Sequence, residues 1–132
     1  MSFGTDLRRF RIKTLATLEQ VYRASLFDLN TAIILGTPVD KGILRNNWYI
    51  SFIDDTELTT SEPAPTGTST IERAKASLQN VGISSVVYIF NNLPYGPAIE
   101  YDGHSGKAPE GMVRINVAKW DAIVSKNARK FR

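Results

Sequence analysis

Thr37-Pro38-Val39-Asp40-Lys41-Gly42-Ile43-Leu44-Arg45-Asn46-Asn47-Trp48 follows a long helix-like segment and leads into a strand-like one. The way it turns decides how the two meet. Pro38 fixes its own φ and pushes Thr37 into an extended conformation. Asp40 can accept backbone N–H groups in the turn or cap the next helical turn. Gly42 can take a positive φ where the chain reverses. Leu44 is then expected in the core, with Arg45 facing outward or toward a carboxylate, and Trp48 within the strand. None of these residues is a nucleophile. The stretch reads as a fixed elbow that aims a helix at a sheet, or as an ordinary helix-to-strand connection.

Upstream, residues 6–35 predict one long amphipathic helix. Leu15, Leu18, Tyr22, Leu26, Leu29 and Ile33 recur at three- and four-residue steps, and Leu7 and Phe10 extend the stripe. Thirty helical residues span roughly 45 Å, so the helix either clamps a whole sheet or projects toward a neighbour. Gly36 is expected to stop it, and Pro38 to prevent its resumption.

Downstream, residues 46–53 predict a strand in which Trp48, Ile50 and Phe52 alternate with Tyr49, Ser51 and Ile53. Residues 83–90 predict a second, rich in β-branched and aromatic side chains. Residues 54–70 are dense in Thr, Ser, Pro and acid, which predicts a long mobile loop. Residues 70–80 fit a short helix with Ile71, Ala74 and Leu78 on one face, or a strand leaving the loop. One or two helical turns are expected after Pro94, a glycine-rich loop over residues 103–111, and a last helix over residues 112–127 with Val113, Val117, Trp120 and Val124 inward. The expected fold is α+β: a long N-terminal helix and a C-terminal helix packed on a small antiparallel sheet, with a mobile loop at about 54–70, as a single domain over residues 1–132.

Composition narrows the function. The 132 residues include no cysteine and one histidine, which excludes disulfides and thiolate metal sites and disfavours a transition-metal site. No cofactor is expected. No apolar run approaches the ~20 residues of a membrane span, and residues 1–10 are polar and basic rather than a secretory signal. A soluble chain without a membrane partner is therefore expected.

The net charge of +3 is unevenly spread. Residues 112–132 carry Arg114, Lys119, Lys126, Arg129, Lys130 and Arg132 against Asp121. Residues 36–62 carry Asp40, Asp54, Asp55, Glu57 and Glu62 against Lys41 and Arg45. Such ends can pair head to tail between subunits, or can simply be solvated faces. Arg8, Arg9, Arg11 and Lys13 could attract phosphate, although no nucleic-acid-binding motif accompanies them. Asp102, His104 and Ser105 are triad residue types, but triad partners converge from separate segments rather than lying side by side. Gly103, Gly106 and Gly111 form no phosphate loop. An enzyme is not expected.

A second stretch completes the picture: Asn91-Asn92-Leu93-Pro94-Tyr95, then Ile99-Glu100-Tyr101-Asp102-Gly103-His104-Ser105, then Ala108-Pro109-Glu110-Gly111-Met112-Val113-Arg114. With Thr-Pro-Val-Asp-x-Gly-x-Leu-Arg and the following Trp48, it resembles the minor tail, or tail-completion, family of head–tail joining proteins of long-tailed bacteriophages. The order, the spacing and the initial helix agree over about residues 5–125. Gly96-Pro97 after Tyr95, and Asp102 between Tyr101 and Gly103, depart from the family's pattern, and the 54–70 loop has no counterpart in it.

The resemblance implies a virion structural protein of the neck and tail, made in the host cytoplasm. It would form a closed ring of identical subunits, on the order of six or twelve, that completes the tail and joins head to tail. Its partners would be copies of itself, the head connector or adaptor, and tail terminator or tube proteins, with DNA only as cargo through a central passage. A tail terminator capping the tube is the alternative, and a small nucleic-acid-associated factor a third reading. Pro38, Asp40, Gly42, Leu44, Arg45 and Trp48 are expected to set the turn. Pro94, Tyr95, Glu100 and Tyr101 are candidates for a subunit interface. Asp54, Asp55, Glu57 and Glu62 are candidates for lining the passage, where like charge keeps DNA from sticking.

Overall fold

The computed structural model describes residues 2–54, 56–101, 106, 108 and 110–131. The class is α+β, as expected. Helix α1 runs over Phe3–Gly36, α2 over Ile43–Asn46, strand β1 over Tyr49–Ser51, α3 over Thr68–Leu78, β2 over Tyr88–Phe90, α4 over Gly96–Tyr101, α5 over Arg114–Val117 and α6 over Trp120–Lys130. The strands pair antiparallel, with Tyr49 opposite Phe90 and Ser51 opposite Tyr88.

Helix α1 starts at Ser2, whose hydroxyl accepts the Thr5 N–H at 3.2 Å, the usual way an orphan first-turn donor is satisfied. Its second half is the spine of the domain. Leu29, Ile33 and Ile34 meet Leu44, Trp48 and Met112 in one core cluster. Leu26 meets Leu78 and Val81 in a second. The first half has no such cover: Leu15 and Leu18, expected to be inward, are 40% and 45% exposed. Of the two outcomes open to so long a helix, the structure takes projection. The periodicity was real, but the domain is too small to reach its N-terminal half.

Gly36 does not end α1 through a left-handed turn. The residues with positive φ are Gly42, Gly67 and Gly111 among those described. Thr37, held extended by Pro38, ends the helix. Gly36 instead admits Asn116, whose side-chain nitrogen would lie 3.3 Å from a Cβ at this position.

Three further expectations are corrected. Both strands are shorter than predicted. Asn46 and Asn47 point inward to bind a neighbouring loop instead of entering the ladder, so β1 begins only at Tyr49. Residues 82–85 close a turn through Ser85 N–H to Gly82 carbonyl and Gly82 N–H to Ser85 hydroxyl, which leaves β2 only Tyr88–Phe90. The last helix breaks between α5 and α6, where Ala118 N–H is shared between the Arg114 and Asn116 carbonyls. Before the break Val117, expected inward, is 48% exposed; beyond it Ile123 packs on the core and Asn127 is buried.

The 56–67 segment carries no helix or strand, as its composition predicts, but it is tied down as a strap. Asn47 donates to the Thr60 carbonyl and accepts the Thr60 N–H, both at 2.9 Å. Asn46 donates to the Glu62 carbonyl at 2.9 Å, and Ala64 N–H to the Gly42 carbonyl at 2.9 Å. Ala64 is 5% exposed. Two asparagines that look like turn residues in the sequence thus supply the hydrogen bonds the strap's backbone would otherwise take from water.

Candidate functional site

The elbow predicted from residues 37–48 is present and is more tightly determined than its sequence suggests. Thr37 sits at the hinge, buried. Its hydroxyl donates to the Ile33 carbonyl at 2.7 Å and accepts the Trp48 indole N–H at 2.8 Å. The ring of Trp48 fills the core while its one polar atom is satisfied, which a buried indole requires. Pro38 is half-buried and Leu44 is 4% exposed in the core cluster.

Arg45 faces neither solvent alone nor a carboxylate. Its guanidinium donates to three carbonyls: Leu35 at 3.0 Å, Thr37 at 2.8 Å and Pro65 at 2.7 Å. Two of these belong to the end of α1, where the helix dipole favours a cation, and the third belongs to the strap. Burial lowers the pKa of Arg45 from its ordinary value. A planar fork of donors suits three divergent carbonyls better than an ammonium would.

Gly42 takes φ 91° and is the N-cap of α2, with no side-chain cap. Asp40, expected to accept N–H groups in the turn or to cap the next helical turn, is exposed and does not cap α2. A Cβ on Gly42 would lie 2.5 Å from the Pro65 nitrogen and 2.7 Å from its Cα. The glycine is therefore required twice, for its conformation and for the passage of the strap.

The second predicted group divides. Tyr95 and Tyr101 are 47% and 67% exposed, and Pro94 is exposed, so all three are available to a partner. Glu100 is not. It is 6% exposed and binds within its own chain, which corrects its assignment as an interface residue. Its carboxylate accepts the backbone N–H groups of Met112 at 2.7 Å, Val113 at 2.8 Å and Arg114 at 2.8 Å. The Arg114 guanidinium adds an ion pair at 3.4 Å, reaches the Glu100 carbonyl and lies 4.7 Å from the Tyr101 ring centroid. Burial pushes the Glu100 carboxyl up, yet the hydrogen bonds from Arg114, Val113 and Met112 outweigh it, and the group is held below its ordinary value. Gly111, at φ 88°, lets the chain pass this carboxylate: a Cβ there would lie 2.6 Å from Oε2.

Of the acidic candidates, Glu57 and Glu62 are exposed along the strap and Asp54 is exposed in the turn before it. Asp55 lies outside the described residues, as do Asp102, His104 and Ser105. No cluster of three or more potential metal ligands occurs among the described residues, and no helix among them is long and apolar enough to cross a membrane.

Sequence reading missed the inward-facing asparagines and Arg73. The latter donates to the Asn46 and Trp48 carbonyls at 2.7 and 2.8 Å and covers the Tyr49 ring at 4.0 Å. Asn127 reaches Ser25 and Asp28 of α1 from α6. A polar residue at an inward helical position was the one available signal, at Asn127. Asn47→Leu should release the strap by removing its two hydrogen bonds to Thr60, together with a third to the Ile43 carbonyl, at a cost of about 3 kcal/mol. The check is faster amide exchange and faster proteolysis over residues 56–64, with α3 still protected.

The arrangement as a whole can hold surfaces in fixed relation; it brings no nucleophile and base together among the described residues. Compared with protein-family models, curated proteins and solved structures, the chain matches none.

Proposed function

We propose that this chain is a virion structural protein that forms a ring in the neck of a long-tailed phage, completes the tail and joins it to the head. The observation that carries the reading is the ordered set of motifs resembling the tail-completion family. Two of them coincide with two rigid junctions. The Thr37–Trp48 motif is the elbow that sets α1 against the sheet. The Glu100 and Gly111-Met112 motifs close on each other through one carboxylate. A protein whose task is geometric needs junctions of this kind, which fix the angle between surfaces that meet different partners.

A second feature supports assembly. The first half of α1 projects from the domain with Phe3, Leu7, Phe10 and Ile12 between 51% and 78% exposed. Apolar surface on that scale belongs against another molecule.

Copy number in purified particles, measured by quantitative mass spectrometry against capsid and portal proteins, tests the reading. On the order of six or twelve copies are expected for a closed ring. Absence from the particle would overturn it. A null mutant separates the two neck tasks: normal tails unattached to heads fit joining, whereas overlong tails fit a terminator.

A further inference from the structure

We propose that the projecting half of α1 in one copy seats on the strap of the next copy, so that each subunit carries both halves of a head-to-tail contact. This rests on the ring reading above and names the surfaces that make it.

The helix supplies one half. Leu7 and Phe10 are 51% and 69% exposed. Arg8, Arg9 and Arg11 are exposed among them. The hydrogen bonds of residues 2–18 close within the helix itself. No described residue of its own chain covers Leu7 or Phe10.

The strap and the turn that leads into it supply the converse. Phe52, Ile53 and Leu58 are 52%, 65% and 53% exposed. Asp54 and Glu57 lie between them, and Glu62 follows, all exposed. Residues 2–18 carry four cations and one acid, whereas residues 52–62 carry only acids. Two apolar surfaces of opposite charge on one chain are complementary, and opposite potentials steer and register an encounter. Because the surfaces differ, the contact is heterologous, and repetition closes it into a ring when the rotation allows.

An anionic membrane would answer the helix's cations but leave the strap's apolar acidic surface bare. The apolar groove between Tyr22, Val87 and Trp120 has no acid in its lining to meet those cations. The contact gives Asp54 and Glu57 a task between subunits rather than along the passage.

The absence of cysteine makes the test clean. The full chain carrying both Leu7→Cys and Leu58→Cys is oxidised, in solution and on purified particles, beside each single variant. A covalent ladder extending past the dimer, seen only with both cysteines, is expected. In parallel, R8E/R9E/R11E and D54K/E57K are compared by sedimentation velocity. Each is expected to weaken self-association at least tenfold, with an unchanged melting temperature at concentrations where the chain is monomeric, and combining them to restore association.

A ring that persists unchanged through both charge reversals, with no ladder, overturns this contact and leaves the ring reading standing. A chain that is monomeric at every concentration and absent from particles overturns both. Helix-dependent binding to anionic vesicles, with no ladder, assigns the helix to lipid and also overturns the proposal.

Discussion

Gly42→Val is expected to destabilise the protein by about 4 kcal/mol, a large share of the 5–15 kcal/mol typical of a domain. Two separate causes add. At φ 91° a β-branched residue is held in a region it strongly disfavours. Its Cβ would also meet the Pro65 nitrogen at 2.5 Å and the Ala64 carbonyl carbon at 2.9 Å. These are backbone atoms, so no rotamer change relieves the contact. Either the strap lifts off α2 or the elbow opens. Lifting the strap separates Ala64 N–H from the Gly42 carbonyl and strains the bonds from Asn46 and Asn47.

Thermal unfolding is the direct readout, with a fall in Tm of roughly 10–15 °C. Gly42→Ala should lose nearly as much, because the clash begins at Cβ. Gly4→Ala is the control. It lies within α1 with nothing within 4 Å of the added atom, and alanine is the better helix former. A Gly42→Val protein that melts with the wild type would mean that the turn is ordinary and that the strap does not pass where it is described.

Glu100→Ala is expected to cost about 4 kcal/mol, because three backbone N–H groups lose their acceptor at once. One of them belongs to Met112, which is 2% exposed and has no solvent to turn to. The start of α5 should loosen, and hydrogen exchange at Met112, Val113 and Arg114 should rise ahead of the rest of the chain. Glu100→Gln keeps the shape but offers one acceptor oxygen and no charge, so about half the loss is expected.

The pH dependence follows from the same carboxylate. Its folded pKa is lowered from an unfolded value of about 4.3. The stabilisation is therefore fully present above that unfolded value and is lost as pH falls through the folded one. The gap in Tm between the wild type and Glu100→Gln should be widest near neutrality and should narrow in acid. A gap that stays constant down to pH ~2 would show that the charge of Glu100 contributes nothing.

The pattern of success along the sequence follows the range of the forces involved. The 3.6-residue periodicity of α1 and the short helix around Ile71, Ala74 and Leu78 were legible because each is a local property of one segment. Gly42's positive φ and Thr37's extension were legible because glycine and proline restrict the backbone by themselves. The roles of Asp40 and Glu100 were misassigned for a common reason. A carboxylate's partner depends on which N–H groups the fold brings near it. Glu100 finds them twelve to fourteen residues away, and Asp40 caps no helix. The strands were over-extended because apolar alternation does not show where a ladder partner ends. Ile83, Val86 and Val87 have β-favouring side chains, but β1 ends at Ser51.

By itself the sequence determined an α+β chain with one long helix, a proline–glycine elbow and no cysteine, since these depend on local geometry and composition. The tertiary structure alone decided that half of α1 stands bare, that Asn46 and Asn47 hold a strap, and that Glu100 is turned inward rather than toward a neighbour. Each of those depends on groups distant in the chain competing for the same donors, acceptors and apolar cover, and that competition is settled only when the chain has closed on itself.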